Sequence, residues 1–363
     1  MSAMTREGGT AAIMPRRAGK RVTIADLARA LDLSQSSVSA ALNDMPGVSE
    51  PTRARVKALA DELGWRPHAG ARALRTQHRR TIGLVLARDP EQLANEPFYS
   101  YVIAGIERAL QHEDYSLMLR MIGSNADDLS IYRKWHDEQV VDGIIVFDVR
   151  ADDERIALLH QLGMPLVLVG ESARHPGTLQ LSSDTDAEAR LVMEHLEGLG
   201  HRHVGHVTGP GHLYHEGRRS EAMRGHAARL GMRLTSAEAD YTIDGAHERA
   251  VELLAAADRP TALVGSSDLT AFGIMRAAGQ LGIVVPQELA VVSWDDSLPV
   301  QLLTPAMTAL DRDPLRIGTG AAMMIVDRLE GRGVREQQFG PRPRLMVRGT
   351  TTLPREGADV GQA

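Results

Sequence analysis

From residue 81 onwards the sequence alternates between short apolar runs and longer amphipathic segments. The apolar runs cover residues 81–87, 115–121, 143–147, 165–169, 203–207, 261–265 and 289–294. The amphipathic segments cover residues 101–111, 153–162, 187–199, 220–230, 246–257, 270–281 and 315–330. A continuous apolar run is typical of a parallel strand buried on both faces, and its alternation with helices predicts doubly wound α/β sheets. The runs outnumber the strands of one such sheet, so we expect two lobes.

The charge of the chain is unevenly distributed. Residues 1–80 hold 14 Lys and Arg against 7 Asp and Glu, a net charge of +7. The rest of the 363 residues hold 27 against 40, a net charge of −13, and the whole chain carries −6. A basic head on an acidic body indicates that the head meets a polyanion and that the body does not. A solvated basic tail is the alternative.

Composition excludes several classes of protein. The chain has no cysteine, which excludes disulfides, thiol catalysis and cysteine-ligated metal centres. No apolar run approaches the roughly 20 residues that span a bilayer, and the N-terminus lacks the pattern of a signal peptide. We therefore expect a soluble, cytoplasmic protein. Since neither a phosphate-binding loop nor a nucleophile elbow is present, we expect no enzyme and no cofactor.

Five histidines lie close together in the sequence, at positions 201, 203, 206, 212 and 215. Their spacing does not form a helical pair with a nearby carboxylate, which a histidine metal site would favour. We expect solvated or hydrogen-bonded histidines here and no metal.

The head of the chain predicts three short helices. Residues 1–20 carry no apolar periodicity, and we expect a disordered tail there. Thr23 with Asp26 has the pattern of a helix N-cap, and Ser34 and Ser49 start two further helices. Two short helices joined by a tight turn and braced by a third form a helix-turn-helix, whose second helix lies in the major groove of DNA. An ordinary three-helix bundle is the alternative.

Several stretches of the head carry a family resemblance. They are residues 22–28, 38–39, 41–43, 47–49, 52–53, 63–67 and 69–75. In these stretches, and over nearly the whole chain after residue 21, the sequence resembles the LacI/GalR family of transcriptional repressors. The resemblance implies an N-terminal helix-turn-helix DNA-binding domain with a hinge helix. A two-lobed α/β sensor domain, similar to periplasmic sugar-binding proteins, would follow.

The resemblance assigns roles in DNA binding within the first two helices. Gln35 and Ser36 occupy the base-reading positions. Four further residues occupy positions that hold phosphates or brace the motif, namely Thr23, Ser34, Ser37 and Asn43. Ala40 stands where many members carry Arg, and alanine cannot donate a hydrogen bond to guanine. The operator should therefore differ from those of relatives that carry Arg.

Two residues of the predicted hinge helix are also assigned to DNA. Leu74 would be the wedge inserted into the minor groove, where an apolar side chain kinks the duplex. Ala71 would let two hinge helices approach closely. The alternative for Leu74 is a core position in a linker helix.

In the sensor, a ligand would bind in the cleft between the lobes, at the carboxyl ends of the strands. Phe98 and Tyr99 follow the first strand and could stack on a sugar or a nucleobase, or form a lid without ligand contact. Asp148 and Glu171 end two later strands and could accept hydrogen bonds from vicinal hydroxyls. Each of these two carboxylates could equally cap a helix or pair with a cation.

The second half of the sensor matches the family more closely. Ser267 and Asp268 match a pair that precedes a helix, and Asp268 could serve as an N-cap, as a ligand contact or as both. Trp294 and Asp295 match a strand end with an aromatic residue and acids. Asp295 is the expected ligand contact, with Trp294 buried beneath or beside it.

One family arginine has no direct counterpart in this part of the chain. Taking Gly225 as the family glycine places the arginine position on Ala222. Arg218 and Arg219, on roughly the same helix face, are the candidate replacements.

These observations predict a ligand-responsive DNA-binding regulator that represses carbohydrate genes. It would bind a palindromic operator as a homodimer or a tetramer, with a saccharide effector in the cleft. The predicted domains are residues 1–20 (tail), 21–67 (helix-turn-helix), 68–80 (hinge), 81–353 (sensor) and 354–363 (tail). A nucleoside or purine effector, a sugar-binding receptor without DNA function and a sugar-processing enzyme are the alternatives.

Overall fold

The computed structural model describes residues 22–65, 79–88, 90–123, 127–170, 172, 175 and 177–351. These residues form two compact units, one before and one after the segment 66–78. The two predicted tails lie outside the described residues, and so do Ala71, Leu74 and Glu171.

The first unit consists of three helices, as the sequence predicts. They are α1 (Ile24–Leu31), α2 (Gln35–Leu42) and α3 (Glu50–Glu62). The N-cap predicted at Thr23 is confirmed, because its hydroxyl and the carboxylate of Asp26 form a reciprocal capping box. Ser34 caps α2 by accepting a hydrogen bond from the Ser37 N–H. The core joins all three helices, through Leu27, Ala28, Val38, Ala41, Val56 and Ala60.

The second unit contains two six-stranded sheets in the described residues, which confirms the two predicted lobes. The first lobe holds β1 (Thr81–Ala87), β2 (Ser116–Ile122), β3 (Gly143–Val146), β4 (Leu166–Val169), β5 (Leu179–Ser182) and β11 (Gln337–Phe339), in the order β11-β5-β4-β3-β1-β2. The second lobe holds β6 (His203–Thr208), β7 (Arg233–Glu238), β8 (Ala262–Gly265), β9 (Ala290–Ser293), β10 (Thr308–Asp311) and β12 (Arg344–Met346), in the order β12-β10-β9-β8-β6-β7. Neighbouring strands are parallel, except for the antiparallel pair β10–β12.

Helices cover both faces of these sheets. They are α4 (Pro90–Ala94), α5 (Pro97–His112), α6 (Asp128–Asp137), α7 (Glu154–Gln161), α8 (Thr185–Gly198), α9 (Tyr214–Arg229), α10 (Ile243–Leu254), α11 (Asp268–Gln280), α12 (Leu298–Leu302) and α13 (Pro314–Leu329). Each predicted amphipathic segment falls on one of these helices. None of the helices in the described part of the chain combines the length and the apolar surface that crossing a membrane would need.

Helices α5 and α13 cross at unusually short range in the first lobe. A Cβ placed on Gly105 would overlap the carbonyl of Leu315, and one placed on Gly318 would overlap the carbonyl of Val102. Glycine at both crossing points lets the two backbones touch, which a larger residue would prevent.

Candidate functional site

A cavity lies between the two lobes, at the carboxyl ends of their strands. Its volume is about 90 Å³, which is room for several water molecules and therefore for a small ligand. Residues from both lobes line it, and most of them directly follow a strand or begin the next helix. This is the position where open α/β sheets bind ligands.

The wall from the first lobe is built around Arg88, which follows β1. Its guanidinium lies 3.1 Å from the carboxylate of Asp148 and 3.5 Å from that of Glu96. The hydroxyl of Tyr99 donates a 2.6 Å hydrogen bond to the same Asp148 carboxylate. The guanidinium also lies over the Tyr99 ring and, across the cleft, over the ring of Tyr241, at 5.6 and 5.7 Å from the ring centres. Arg88 therefore contacts both lobes.

The two carboxylates beside Arg88 have opposite pKa shifts. Burial alone would raise the pKa of Asp148, but the charges of Arg88 and then His215 hold it below its usual value. Burial raises the pKa of Glu96 to about 7, since the attraction of Arg88 is weaker there and Asp148 repels a second negative charge. The pair thus places one firmly ionised acid next to one that titrates near neutral pH.

The wall from the second lobe is organised by Glu216, on the first turn of α9. One carboxylate oxygen accepts hydrogen bonds from Arg219 (2.7 Å) and from the Tyr241 hydroxyl (2.6 Å). The other oxygen accepts from the N–H of Gly209 (2.7 Å) and from the Ser266 hydroxyl (2.8 Å). These bonds join the loops that follow β6, β7 and β8. They hold Arg219, Tyr241 and Ser266 at the cavity surface.

Further charged groups converge at the ends of β8, β9 and β10. Asp295 forms an ion pair with Arg312, whose guanidinium lies 4.8 Å from the ring centre of Phe98 in the first lobe. Asp268 is almost fully buried, and burial together with the charge of Asp295 raises its pKa to about 6. One oxygen of Asp268 accepts the N–H of Leu269 at 2.8 Å. Its other oxygen has no hydrogen-bond partner among the described residues.

Two more groups face the cavity from the helices of the second lobe. The Nε2–H of His215 donates a 2.9 Å hydrogen bond to the Tyr241 hydroxyl, whose own proton is donated to Glu216, and burial lowers the pKa of His215 to about 4. Glu188 accepts a 2.9 Å hydrogen bond from the indole N–H of Trp294, and burial raises its pKa. His215 is therefore neutral at pH 7.

Backbone hydrogen bonds hold the lobes together beside the cavity. The N–H of Tyr214 donates to the carbonyl of Val149 at 2.8 Å, and the N–H of Ala151 donates to the carbonyl of His212 at 3.3 Å. Between these bonds, Arg150 and Leu213 form an isolated antiparallel bridge. The structure therefore shows the lobes in contact across one edge of the cleft.

The structure brings seven of the ten predicted effector residues to this cavity. They are Phe98, Tyr99, Asp148, Arg219, Ser267, Asp268 and Asp295. Trp294 is fully buried behind the wall, with its ring under Arg219 at 5.2 Å, and does not line the cavity. Glu171 lies outside the described residues. The N-cap suggested for Asp268 is supplied by Ser267, which accepts the N–H of Thr270.

The two candidate arginines of α9 point in different directions. Arg219 is buried in the cleft wall, whereas Arg218 lies outside the cavity and pairs with Glu221. Gly225, the reference point for the predicted arginine position, lies on the exposed face of α9, where a Cβ would meet no atom. Of the two candidates, Arg219 is the one whose guanidinium lies on the buried face of α9 and lines the cavity.

Sequence reasoning missed several residues of the cavity. They are Arg88, Glu96, Glu188, His215, Tyr241 and Arg312. Arg88 and Arg312 directly follow strands. Their position in the chain therefore predicts a place at the cleft, as it does for the acids and aromatic residues that follow strands. Tyr241 follows the unpredicted strand β7. Glu96 and Glu188 carry no signal in the sequence that separates them from solvated acids.

Four of the five clustered histidines form hydrogen bonds with hydroxyl groups, and two of them also lie near a carboxylate, His203 at 3.7 Å from Asp258 and His215 at 3.6 Å from Glu216. Their hydroxyl partners are Thr261 for His201, Thr235 for His203, Ser266 for His206 and Tyr241 for His215. In the described ranges, no three His, Asp or Glu side chains come together as a metal site would require.

In the first unit, the predicted DNA-reading residues lie at the start of α2. The hydroxyl of Ser34 lies 2.8 Å from those of Ser36 and Ser37, while Gln35 is exposed. Asn43 ends the helix, where its amide donates to the carbonyl of Ser39 at 2.7 Å. Uncharged groups that can donate and accept hydrogen bonds thus face solvent on the first turn, which is the part of such a helix that contacts bases.

Comparison with known families matches both units. Residues 23–68 match the family described as bacterial regulatory proteins, lacI family. Residues 193–351 match the periplasmic binding protein-like domain.

Individual proteins match over most of the chain. The transcriptional regulator MalR of Streptomyces coelicolor is 31% identical over 347 residues, covering 90% of this chain and 96% of its own length. The transcriptional repressor PurR of Serratia proteamaculans is 28% identical over 331 residues, covering 90% and 96%. The structure of the transcriptional regulator CelR in complex with cellobiose superposes with a TM-score of 0.69 and 26% identity, covering 91% of this chain and all of that one.

Proposed function

The chain belongs to the LacI family of bacterial transcriptional regulators, and we propose that it represses genes of carbohydrate metabolism in response to a saccharide bound between its lobes. As a member of this family it is a DNA-binding regulator and not an enzyme. The observation that carries the proposal is the mixture of acids, guanidiniums and aromatic rings at the cleft.

The charge of the cleft suits a neutral ligand rich in hydroxyl groups. Carboxylates and guanidiniums both line the wall. Neighbouring hydroxyls of a ligand can therefore donate to the carboxylates and accept from the guanidiniums. The carboxylates are Glu96, Asp148, Glu188, Asp268 and Asp295, and the guanidiniums are Arg88, Arg219 and Arg312. Burial raises the pKa of three of these five acids, Glu96, Asp268 and Glu188, so the wall is close to balanced in charge and holds no positive surplus for a sugar phosphate.

Buried polar atoms at the cleft retain capacity for a ligand. One carboxylate oxygen of Asp268 and the Nε of Arg312 are buried without hydrogen-bond partners among the described residues. Native proteins rarely leave such atoms unsatisfied, so these two indicate where a ligand hydroxyl would bind. Asp268 would accept a hydrogen bond and Arg312 would donate one.

A nucleoside or purine is the second candidate. The rings of Phe98, Tyr99, Phe147 and Tyr241 line the cavity and can stack on a flat base as well as on a sugar face. A repressor named PurR is among the relatives, and this supports keeping a purine as the second candidate beside the saccharide.

On the DNA side, we propose that two chains bind a palindromic operator, because one helix-turn-helix offers little specificity alone. The predicted residues of α1 and α2, with Ala71 and Leu74, would form the interface with the duplex. Such a regulator acts where the chromosome is, which in a bacterium is the cytoplasm. Effector and operator are linked, so the effector changes DNA affinity only by its differential affinity for the two states of the sensor.

A thermal-shift panel of saccharides and nucleosides on the full chain tests the effector. A ligand at 100 times its Kd stabilises the folded state by about 2.7 kcal/mol and raises the midpoint of unfolding. Arg218→Ala, outside the cavity, should keep the ligand-induced shift, and Arg219→Met should lose it. Asp295→Asn gives a second test if Arg219→Met fails to fold. An equal shift in all variants would place the ligand elsewhere.

A gel-shift experiment with DNA from upstream of the gene tests the regulator. The protein should bind a specific fragment, and the active ligand of the panel should change that affinity. Binding that is equal for all fragments and indifferent to every ligand would contradict the proposal.

A further inference from the structure

Each guanidinium that lines the cleft already has a carboxylate partner. The pairs, all within ion-pair distance, are Arg88 with Asp148, Arg219 with Glu216, and Arg312 with Asp295. The charges of these six groups cancel within the wall. Any other carboxylate of the cleft is therefore a surplus negative charge when it is ionised.

Two carboxylates of the cleft keep an oxygen that nothing satisfies. Oε1 of Glu96 and Oδ2 of Asp268 are buried, and neither has a hydrogen-bond partner within the part of the chain that the structure describes. Arg88 approaches the Glu96 oxygen only to 3.5 Å, which is longer than an ordinary N–H···O hydrogen bond. Because native proteins rarely leave buried polar atoms unsatisfied, the two oxygens indicate a ligand with hydrogen-bond donors for both.

Neither carboxylate is occupied by its own helix end. Glu96 is the N-cap residue of α5, but its side chain makes no capping hydrogen bond. Asp268 is the first residue of α11, and the cap of that helix is Ser267. Glu96 belongs to the first lobe and Asp268 to the second, and both line the same cavity. The cavity therefore has one incompletely satisfied acid on each of its two walls.

The two acids act on each other electrostatically across the cavity. Burial raises the pKa of Glu96 to about 7 against the attraction of Arg88, and the charges of Asp148 and Asp268 add to the rise. Burial, followed by the charge of Asp295, raises the pKa of Asp268 to about 6. At pH 7 Asp268 is therefore mostly ionised and Glu96 about half ionised. A cation between them would relieve the repulsion, which a neutral hydroxyl group would leave in place.

We propose that the effector is a saccharide that carries one primary ammonium group, bound between Glu96 and Asp268. An ammonium group has three N–H donors and no acceptor, so it can satisfy both carboxylate oxygens at once. The hydroxyl groups of the same ligand bind the paired acids and guanidiniums of the wall. This inference rests on the saccharide effector proposed above and adds one positive charge to that ligand.

The test compares sugars that differ in a single group. The probes are the amino sugars glucosamine, galactosamine and mannosamine, their parents glucose, galactose and mannose, and the N-acetyl derivatives, which keep the nitrogen without its charge. Thermal shifts of the full chain at pH 7 identify the sugars that bind, and isothermal titration calorimetry measures their Kd. One amino sugar should bind at least about tenfold more tightly than its parent and its N-acetyl form, because hydrogen bonds to charged groups are the stronger ones.

Proton release distinguishes an ammonium group from a hydroxyl group. The bound cation favours the ionised acids, so binding at about pH 6.5 should release about one proton, mostly from Glu96. Titrations in two buffers of different ionisation enthalpy measure this number. The affinity for the amino sugar should rise at least about tenfold from about pH 5.5 to about pH 7, and that for the parent sugar by less than about threefold. His215, whose pKa is about 4, stays neutral over this range.

Two amide variants locate the ammonium group. Glu96→Gln and Asp268→Asn keep the shape of each side chain, remove its charge, and should each abolish the preference for the amino sugar over its parent. Glu91→Gln, at an exposed acid of α4, is the matched control and should keep that preference. If Asp268→Asn does not fold, Glu96→Gln decides alone, since it removes a buried charge.

The outcomes separate this inference from the proposed function. Equal binding of an amino sugar and its parent without proton release, or an unchanged preference in Glu96→Gln, would overturn the ammonium group and leave the saccharide effector standing. A panel in which no sugar shifts the midpoint of unfolding would overturn the saccharide effector, and this inference with it.

Discussion

The guanidinium of Arg219 lies 2.7 Å from the carboxylate of Glu216, one turn earlier on the same helix, and both side chains are buried. Burial alone would raise the pKa of Glu216, but the charges of Arg219, His215 and His206 and the hydrogen bond from Tyr241 lower that pKa to about 2. The pair therefore stays ionised throughout the neutral range, and it holds the wall of the cleft from the second lobe.

Replacing Glu216 with Gln should destabilise the sensor strongly. The amide cannot neutralise Arg219, and an uncompensated buried charge costs about 3 to 5 kcal/mol. Urea unfolding followed by circular dichroism measures the loss. The double variant Glu216→Gln with Arg219→Met should recover part of it, because neither member of the pair is then left as an unpaired buried charge. Equal stability of wild type and Glu216→Gln would show that the pair contributes nothing.

The contribution of Glu96 to the stability of the sensor should fall as the pH rises from about 4.5 to about 7, whereas the buried His206 and His215, whose pKa values are lowered to about 4, contribute stability that rises with pH in this range. The pKa of Glu96 in the folded state is raised to about 7 by burial, so this residue binds more protons in the folded protein than in the unfolded chain in this window. A shift of this size corresponds to about 3 kcal/mol. The contribution is present below the window and is lost above it.

Compared with the wild type, Glu96→Gln should gain stability as the pH rises through this window, and the exposed Glu91→Gln should follow the wild-type profile. Thermal midpoints at several pH values measure the slope. Asp268, whose pKa is raised to about 6, and the two histidines titrate in the wild type and in both variants, so the difference from the wild type isolates Glu96. If both variants had the same pH profile, Glu96 would not be a source of the pH dependence of stability.

The predictability of the fold followed burial only in part, because the half-exposed edge strand β2 was predicted, whereas the buried strands β5 and β10 were not. The interior strands β1, β3, β4, β8 and β9 are apolar on both faces, and each was predicted within one residue of its observed ends. The edge strand β7 was missed because its sequence, RLTSAE, is polar and half exposed. Strands β11 and β12 have three residues each, which is too short for an alternating pattern.

A site residue could be predicted only where its position in the chain, directly after a strand, places it at the cleft. Asp148 and Asp295 follow strands, and strand ends meet at one edge of a sheet, so their place at the cleft could be expected. Contacts across the lobes, such as Arg88 over Tyr241 and Arg312 over Phe98, depend on the packing of distant segments. No local pattern contains that information.

Gly318→Ala should destabilise the first lobe, because the added methyl group would overlap the carbonyl of Val102 on α5. The contact is with backbone, which cannot rotate away, so we expect a loss of about 3 kcal/mol or more. Gly225→Ala is the matched control, since it lies on the exposed face of α9 with open space around it. It should gain up to about 1 kcal/mol from helix propensity. Thermal unfolding of the two variants should therefore shift in opposite directions, and equal shifts would contradict the close crossing.

Substitutions at Ser34 and Ser36 should distinguish residues that stabilise the first unit from residues that determine which DNA sequences it binds. Ser34 accepts the N–H of Ser37 at 3.0 Å, so Ser34→Ala removes an N-cap and should cost about 1 kcal/mol. Ser36 makes no cap, and its hydroxyl contacts only that of Ser34 among the described residues. Ser36→Ala should therefore change the free energy of unfolding by less than about 0.5 kcal/mol, as exposed substitutions do.

Because Ser36 faces solvent where bases would lie, the same variant should change which sequences are selected from a random duplex library. A Ser36→Ala protein that selects the wild-type sequences would show that this hydroxyl does not read bases.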